Sequence, residues 1–193
     1  MSKLKMSFRK LDELGFQCFQ NALRLHSDSI LLFNKKSFAS AFALSVIASE
    51  ELGKGFAIEE IVFQARLGEG LGEQDTKLLR ALLSDHKLKQ GWFVSSVSDG
   101  LRWGRGLAKR YQRIQIEKNN AIYAGVRPGN HHIVRPFLLS RVRARRQVRS
   151  VNDALMGMVE VKLKNPAGWE VSDDVLRSRR LLKTLRNVAA NLA

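Results

Sequence analysis

The chain has 193 residues, 45% of them hydrophobic, and 33 Lys+Arg against 18 Asp+Glu give it a net charge of +15. That length suits one well-buried helical core and is too short for two full domains, and the apolar share excludes an unfolded polyelectrolyte. The single cysteine, Cys18, excludes an internal disulfide and a cysteine-based zinc site, as expected of a protein of the reducing cytosol.

The first apolar stripe runs Leu11, Leu14, Cys18, Ala22, Leu25 and Leu32, spaced as one face of a helix. Asn34-Lys35-Lys36-Ser37 interrupts it, and Ser37 is placed to cap a second helix from Phe38 to about Leu67. The glycines of Gly68-Glu-Gly-Leu-Gly72 end that helix. A third helix is expected over roughly Glu73 to Trp103, with a break near Gly91, and a fourth from Arg105 to Asn120. Two prolines and two glycines make Tyr123 to Pro136 a loop, and the nearest strand candidate is the few residues from Ile122 to Val126. Phe137 to Lys164 reads as a fifth helix, weakened by Gly157. Asn165-Pro-Ala-Gly168 closes it, and Ser172 or Asp173 caps a last helix to about Leu192. The fold expected is all-α, an antiparallel helical bundle with additional basic C-terminal helices. Its division is a core over residues 1–125 and a basic extension over 126–193 packed on the same domain. No apolar stretch of signal-peptide length precedes Asp12 and Glu13, and Phe38 to Ser49 is too short to cross a bilayer, so a cytoplasmic chain without a membrane segment is expected.

Charge is divided unevenly. Residues 1–100 hold 13 Lys+Arg against 12 Asp+Glu, whereas residues 101–193 hold 20 against 6. Solubility alone does not require such asymmetry; a surface that docks a polyanion does. The basic residues fall in three clusters: Arg102, Arg105, Lys109, Arg110 and Arg113; Arg141, Arg143, Arg145, Arg146 and Arg149; and Arg177, Arg179, Arg180, Lys183 and Arg186. Arginine dominates, which suits bidentate contact with phosphate. Trp103 and Tyr111 stand among these charges, either as stacking platforms for unpaired bases or as core residues. A solvated helix face, or contact with anionic lipid, is the competing account of the charge.

The most specific motif is Ala48-Ser49-Glu50-Glu51-Leu52-Gly53-Lys54, preceded by Asn21-Ala22-Leu23-Arg24-Leu25 and Ser37-Phe38-Ala39-Ser40-Ala41 and followed by His86-Lys87-Leu88-Lys89. Over roughly residues 10–125 this resembles the AbiV family of phage abortive-infection proteins, a branch of the HEPN superfamily; residues 140–193 resemble nothing we can name. The resemblance implies a helical bundle, usually a homodimer, acting in phage defence. Many HEPN relatives are metal-independent RNases that use an Arg-x4–6-His motif.

Two pairs fit that spacing, Arg80/His86 and Arg127/His132. With arginine at about a tenth of the chain and four histidines, chance alone supplies about one such match. Context favours Arg80/His86, which lies on a helix beside His86-Lys-Leu-Lys89, whereas Arg127/His132 straddles Pro128-Gly129. Ala81 follows Arg80 where HEPN nucleases often carry a polar residue. On one ideal helix Arg80 and His86 would stand about 120° apart, so they would share a substrate only across a dimer interface or through a bend. A histidine can take or return the proton of an RNA 2′-hydroxyl, and an arginine can stabilise charge on the attacked phosphate. Either residue also reads as an ordinary exposed helical side chain.

In Glu50-Glu-Leu-Gly-Lys54, Glu50 and Lys54 can pair four residues apart, and Gly53 costs about 1 kcal/mol in a helix unless another helix comes close. Glu50, Glu51 and Lys54 would face His86 and Lys89 if the second and third helices are antiparallel neighbours. That cluster is either an active site or a buried network that sets helix register. The glycine-rich stretch at 68–72 follows a helix and carries Glu69, which argues against a phosphate loop. His131-His132 lacks nearby carboxylates for a metal. No cofactor and no metal are expected.

The function expected is phage defence as a metal-independent RNase toxin, with RNA as its partner and a homodimer as its form; a phage protein or a cognate antitoxin is a further partner. The catalytic set is Arg80, His86, Lys89, Glu50, Glu51 and Lys54, with the arginine clusters as the nucleic-acid surface. The alternative is a non-catalytic inhibitor of translation that binds RNA or a phage protein.

Overall fold

The computed structural model describes residues 6–68, 70–97, 105–123, 125–126, 133–134, 139–164 and 172–191. Among them are seven helices: α1 Phe8–Asn34, α2 Phe38–Leu67, α3 Glu73–Ser84, α4 His86–Val97, α5 Arg105–Ile122, α6 Arg141–Lys164 and α7 Ser172–Asn191. Two-residue strands β1 (Gly125–Val126) and β2 (Ile133–Val134) pair antiparallel between α5 and α6, with Gly125 opposite Val134. The fold is all-α, as its apolar periodicity requires.

The stripe of α1 is buried at Leu11, Cys18, Ala22 and Leu25, with Leu14 and Leu32 half-buried at its margins. The helix ends in a left-handed turn at Lys36 (φ 63°), where Lys36 N–H bonds the Phe33 carbonyl and Ser37 N–H the Leu32 carbonyl. Ser37 precedes α2 as expected, but its side chain makes no capping bond. α2 runs back along α1: Asp12 meets Arg66 at 2.6 Å, and a Cβ on Gly55 would lie 3.5 Å from the Gly15 carbonyl.

Sixteen of the thirty residues of α2 are buried, on every side of the helix. A helix apolar all round belongs in the middle of a bundle, and α2 packs against α1, α3, α4, α5 and α6. The largest cluster joins Ala22 and Leu25 of α1, Leu52 of α2, Phe93 of α4, Tyr111 of α5, Val151 and Leu155 of α6, and Leu182 and Leu185 of α7. Each large aliphatic side chain so buried contributes about 1.5–3 kcal/mol. Tyr111 is therefore a core residue and is not available to stack on a base; Trp103 lies outside the described residues.

The third helix of the sequence reading is two. The chain breaks at Asp85 (ψ 103°), whose Oδ1 accepts from the N–H groups of Lys87 and Leu88 at 2.8 and 3.1 Å and so caps α4. Gly91, expected at the break, lies buried inside α4. A cap with two bonds outweighs the modest cost of a glycine whose helix is held by packing. α6 begins at Arg141, with the Ser140 hydroxyl accepting from Arg143 N–H; Phe137, the expected start of this helix, lies outside the described residues.

α6 is fastened to α1 and α7 by a buried polar bridge. The Asn152 amide donates to the Leu185 carbonyl at 3.0 Å, which turns its oxygen to His26 Nε2 at 3.1 Å. His26 therefore carries its proton on Nε2. Burial lowers its pKa from the usual 6.5, a shift the Asn152 bond only partly opposes.

Candidate active site

Glu50 is buried in the middle of α2, and side chains from two other helices, α4 and α5, converge on its carboxylate. Gly53, one turn on, lets α4 press against α2: a Cβ there would come within 1.9 Å of the Lys89 carbonyl oxygen. The close approach inferred for Gly53 is thus made by α4. His86 and Gln90, one turn apart on α4, consequently both reach Glu50. His86 Nδ1 lies 2.6 Å from Glu50 Oε2, and Gln90 Nε2 donates to Oε1 at 2.8 Å and to Gln115 Oε1 at 3.3 Å. α5 supplies Lys118, whose Nζ donates to Glu50 Oε1 at 2.8 Å.

The cluster has a polarity from inside to outside. The Glu50 and Lys118 side chains are 4% and 7% exposed, that of His86 51%. A carboxylate only accepts, so in this contact Nδ1 holds a proton and donates it. The other ring nitrogen, Nε2, is then the one able to take a proton from outside. A buried carboxylate that orients a half-exposed imidazole through its inner nitrogen is an acid–base arrangement.

The other expected site residues separate into two groups. Lys54 pairs with Glu51 at 2.8 Å and not with Glu50, whose carboxylate is already filled from α4 and α5. Burial pulls the Lys54 pKa down, but the Glu51 hydrogen bond, with Cys18 and the Glu51 charge, outweighs it and the net direction is up. Burial pushes the Cys18 thiol up against the opposing charges of Lys54 and Lys89. Glu51 and Lys54 therefore form their own pair beside α1. Lys89 is buried and turns back to the Leu83 carbonyl at 3.3 Å, not to Glu50, at the C-terminal end of α3 where a cation is favoured. Arg80 is half-buried on α3 and engaged in an interaction of its own. The break at Asp85 puts it on a different helix from His86, so the 120° separation of a continuous helix does not apply.

Lys118, Gln90 and Gln115 were missed in the sequence. A signal existed: Tyr111, Lys118 and Ala121 are all buried at helical spacing with half-buried Ile114 between them, so Lys118 interrupts an apolar stripe. Gln90 does the same beside Phe93 and Val94. A polar residue at a core position marks a partner across the bundle.

Of the basic surface, Arg141, Arg143 and Arg146 are exposed on α6 and Arg180 on α7. Arg143 is bound to Glu117 of α5, which also accepts from Arg113 at 3.0 Å, and Arg149 pairs loosely with Asp153 at 3.8 Å. Arg145 is half-buried and engaged. Arg141, Arg146 and Arg180 form no ion pair among the described residues. Arg102, Arg127, His131 and His132 lie outside the described residues, as do the side chains of Arg105, Arg110 and Arg179.

The family model HEPN_AbiV, described as AbiV, matches residues 10–137, from α1 through the β1–β2 hairpin. The chain belongs to the AbiV family. Every residue of the Glu50 cluster falls inside the match, and the arginines of α6 fall beyond it. No curated protein matches the chain, and no solved structure does. AbiV membership gives this chain its broad role, abortive infection in phage defence. Among the described residues no helix is long and apolar enough to cross a membrane.

Proposed function

We propose that this AbiV-family chain is an endoribonuclease toxin of cellular RNA, with His86 as its proton-transfer group. The observation that carries the reading is the 2.6 Å contact between Glu50 Oε2 and His86 Nδ1 on a ring that is half open to solvent. His86 Nε2 takes the proton of a ribose 2′-hydroxyl, O2′ bonds to the neighbouring phosphorus, and the P–O5′ bond breaks. The products are a 2′,3′-cyclic phosphate and a 5′-hydroxyl whose proton comes from solvent or from the imidazolium. The nucleophile is internal to RNA, so the step requires no metal. Arg80 supplies positive charge for the phosphate oxygens in the transition state. Glu50 is a positioning residue, and Lys89, Glu51 and Lys54 hold the frame around it.

Substrate is held on the exposed arginines of α6 and α7, with Arg141, Arg146 and Arg180 the side chains best placed for phosphate. The working form is a homodimer, and a phage product or antitoxin restrains it outside infection. One observation favours the non-catalytic alternative, an RNA- or phage-protein-binding inhibitor of translation: Glu50 is satisfied by Gln90, Lys118 and His86 together, as in a network that sets helix register. Incubating the purified chain with total RNA in EDTA and sequencing the fragment ends tests the proposal. New 2′,3′-cyclic phosphate ends support it. Intact RNA that remains bound supports the alternative.

A further inference from the structure

One carboxylate, Glu50, serves two nitrogen bases of different strength. A carboxylate 2.6 Å from an imidazole favours the imidazolium, and burial strengthens that preference because the carboxylate has little water to offset its charge. An imidazolium cannot accept a proton. If His86 were the sole cation facing Glu50, the contact that orients the ring would also take it out of service as a base near neutral pH.

Lys118 changes that balance. Its Nζ sits 2.8 Å from Oε1, the oxygen His86 does not use, and it is almost as buried as Glu50 itself. Glu50 and Lys118 form a neutral pair, and a proton added to His86 then leaves the cluster with a net positive charge at the edge of the interior. Most of the remaining charged groups near His86 have interactions of their own. On α2, Glu51 is paired with Lys54. On α4, Lys89 is turned to the Leu83 carbonyl, and Asp85, just before the helix, accepts from the N–H groups of Lys87 and Leu88. Lys87 itself is exposed, and Arg80 on α3 has its own interaction. On α5, Glu117 binds Arg113 and Arg143. Gln90 completes the device without adding charge, since it donates to the same oxygen as Lys118.

We infer that Lys118 is a positioning residue for His86: by sharing Glu50 it keeps the imidazole neutral, with Nδ1 holding the proton and Nε2 free to accept one. The inference rests on the acid–base reading of His86 but can be measured apart from RNA cleavage. It adds a residue from a helix other than those of Arg80 and His86 to the working parts of the site, and gives that residue an electrostatic task.

The test is an NMR titration of the His86 ring in the full chain, its resonance assigned by its loss in His86→Ala. Lys118→Met removes the charge and keeps the volume; the His86 midpoint should move to higher pH by a roughly tenfold gain in proton affinity, about one pH unit. Lys118→Arg should return it toward wild type. Glu50→Gln leaves Lys118 facing the ring without its counter-ion, so the midpoint should move the other way. In the cleavage assay the acid limb of the pH profile should follow the same order. A midpoint that stays put in folded Lys118→Met, or rises in Glu50→Gln, overturns the inference. Failure of both variants to fold overturns it as well, because the cluster then holds the bundle together and does not tune His86. Midpoints that move as stated in a chain that cuts no RNA sink the nuclease reading and leave the inference standing. Cleavage that depends on His86 while Lys118→Met leaves the titration unmoved does the reverse.

Discussion

Gly53 of α2 lies against the Lys89 carbonyl of α4 so closely that a single methyl group at residue 53 would stand 1.9 Å from the oxygen and 2.8 Å from the Phe93 nitrogen. Both of those atoms are backbone, so no rotamer change relieves the overlap; α4 itself must move.

Gly53→Ala should therefore destabilise the fold by about 1–3 kcal/mol, the usual range for overpacking a core, even though alanine is the better helix former. It should also pull His86 away from Glu50. Urea denaturation measures the first effect and the His86 ring titration the second. A variant as stable as wild type would show that α2 and α4 do not meet in this register.

His86→Ala should abolish toxicity and slow RNA cleavage by 10²- to 10⁴-fold, the usual cost of losing a positioned acid or base. RNA affinity should stay nearly intact, while the loss of the bond to Glu50 Oε2 should cost about 1–3 kcal/mol of stability without unfolding the chain. Arg80→Ala should follow it in activity, and His132→Ala should not. Cell toxicity, cleavage and thermal melting on the same three proteins make the comparison. A toxic, folded His86→Ala would move the binding reading ahead.

On the basic surface the cleanest substitutions are Arg141→Glu and Arg146→Glu, since neither side chain is paired among the described residues. If each arginine binds one phosphate, each substitution should flatten the slope of log K against log salt by roughly 0.7–0.9. Arg143→Glu is a poorer probe because it sets a carboxylate against Glu117, to which Arg143 is bound. Fluorescence anisotropy with single-stranded RNA at several salt concentrations gives the slopes. Unchanged slopes in both variants would remove α6 from the RNA-binding surface.

His26 should make the fold sensitive to mild acid. Burial lowers its folded-state pKa below the 6.5 of the unfolded chain, so the unfolded state binds the proton more readily. Its contribution is fully present above about pH 6.5 and is lost as the pH falls from there through the folded value. Between pH 7.5 and 5.5 the urea midpoint should decline in wild type and decline less in His26→Gln, which keeps a donor for Asn152. Parallel declines in the two proteins would exclude His26 as the source.

The end of α1 and both bounds of α2 were legible in the sequence because they are written in local signals: an apolar stripe every three to four residues, a polar turn at 34–37 and glycines at 68–72. The third helix was misread where two local signals competed. Gly91 is a weak breaker once packing holds its helix, whereas Asp85 accepts two backbone bonds. Glu50 and His86 were visible as candidates because their motif is contiguous or nearly so.

What the sequence determined by itself is therefore the helical class, the extent of the second helix, the AbiV resemblance and the concentration of positive charge after residue 100. Only the tertiary structure decided which charges meet. Glu50 had Lys54 within reach on its own helix, yet the α2–α4 contact at Gly53 brings His86 and Gln90 to it, and α5 adds Lys118 from 68 residues away. Local spacing states which pairs can form. Burial decides which do, because a carboxylate taken out of water must satisfy both oxygens at once, and here only side chains from α4 and α5 do so.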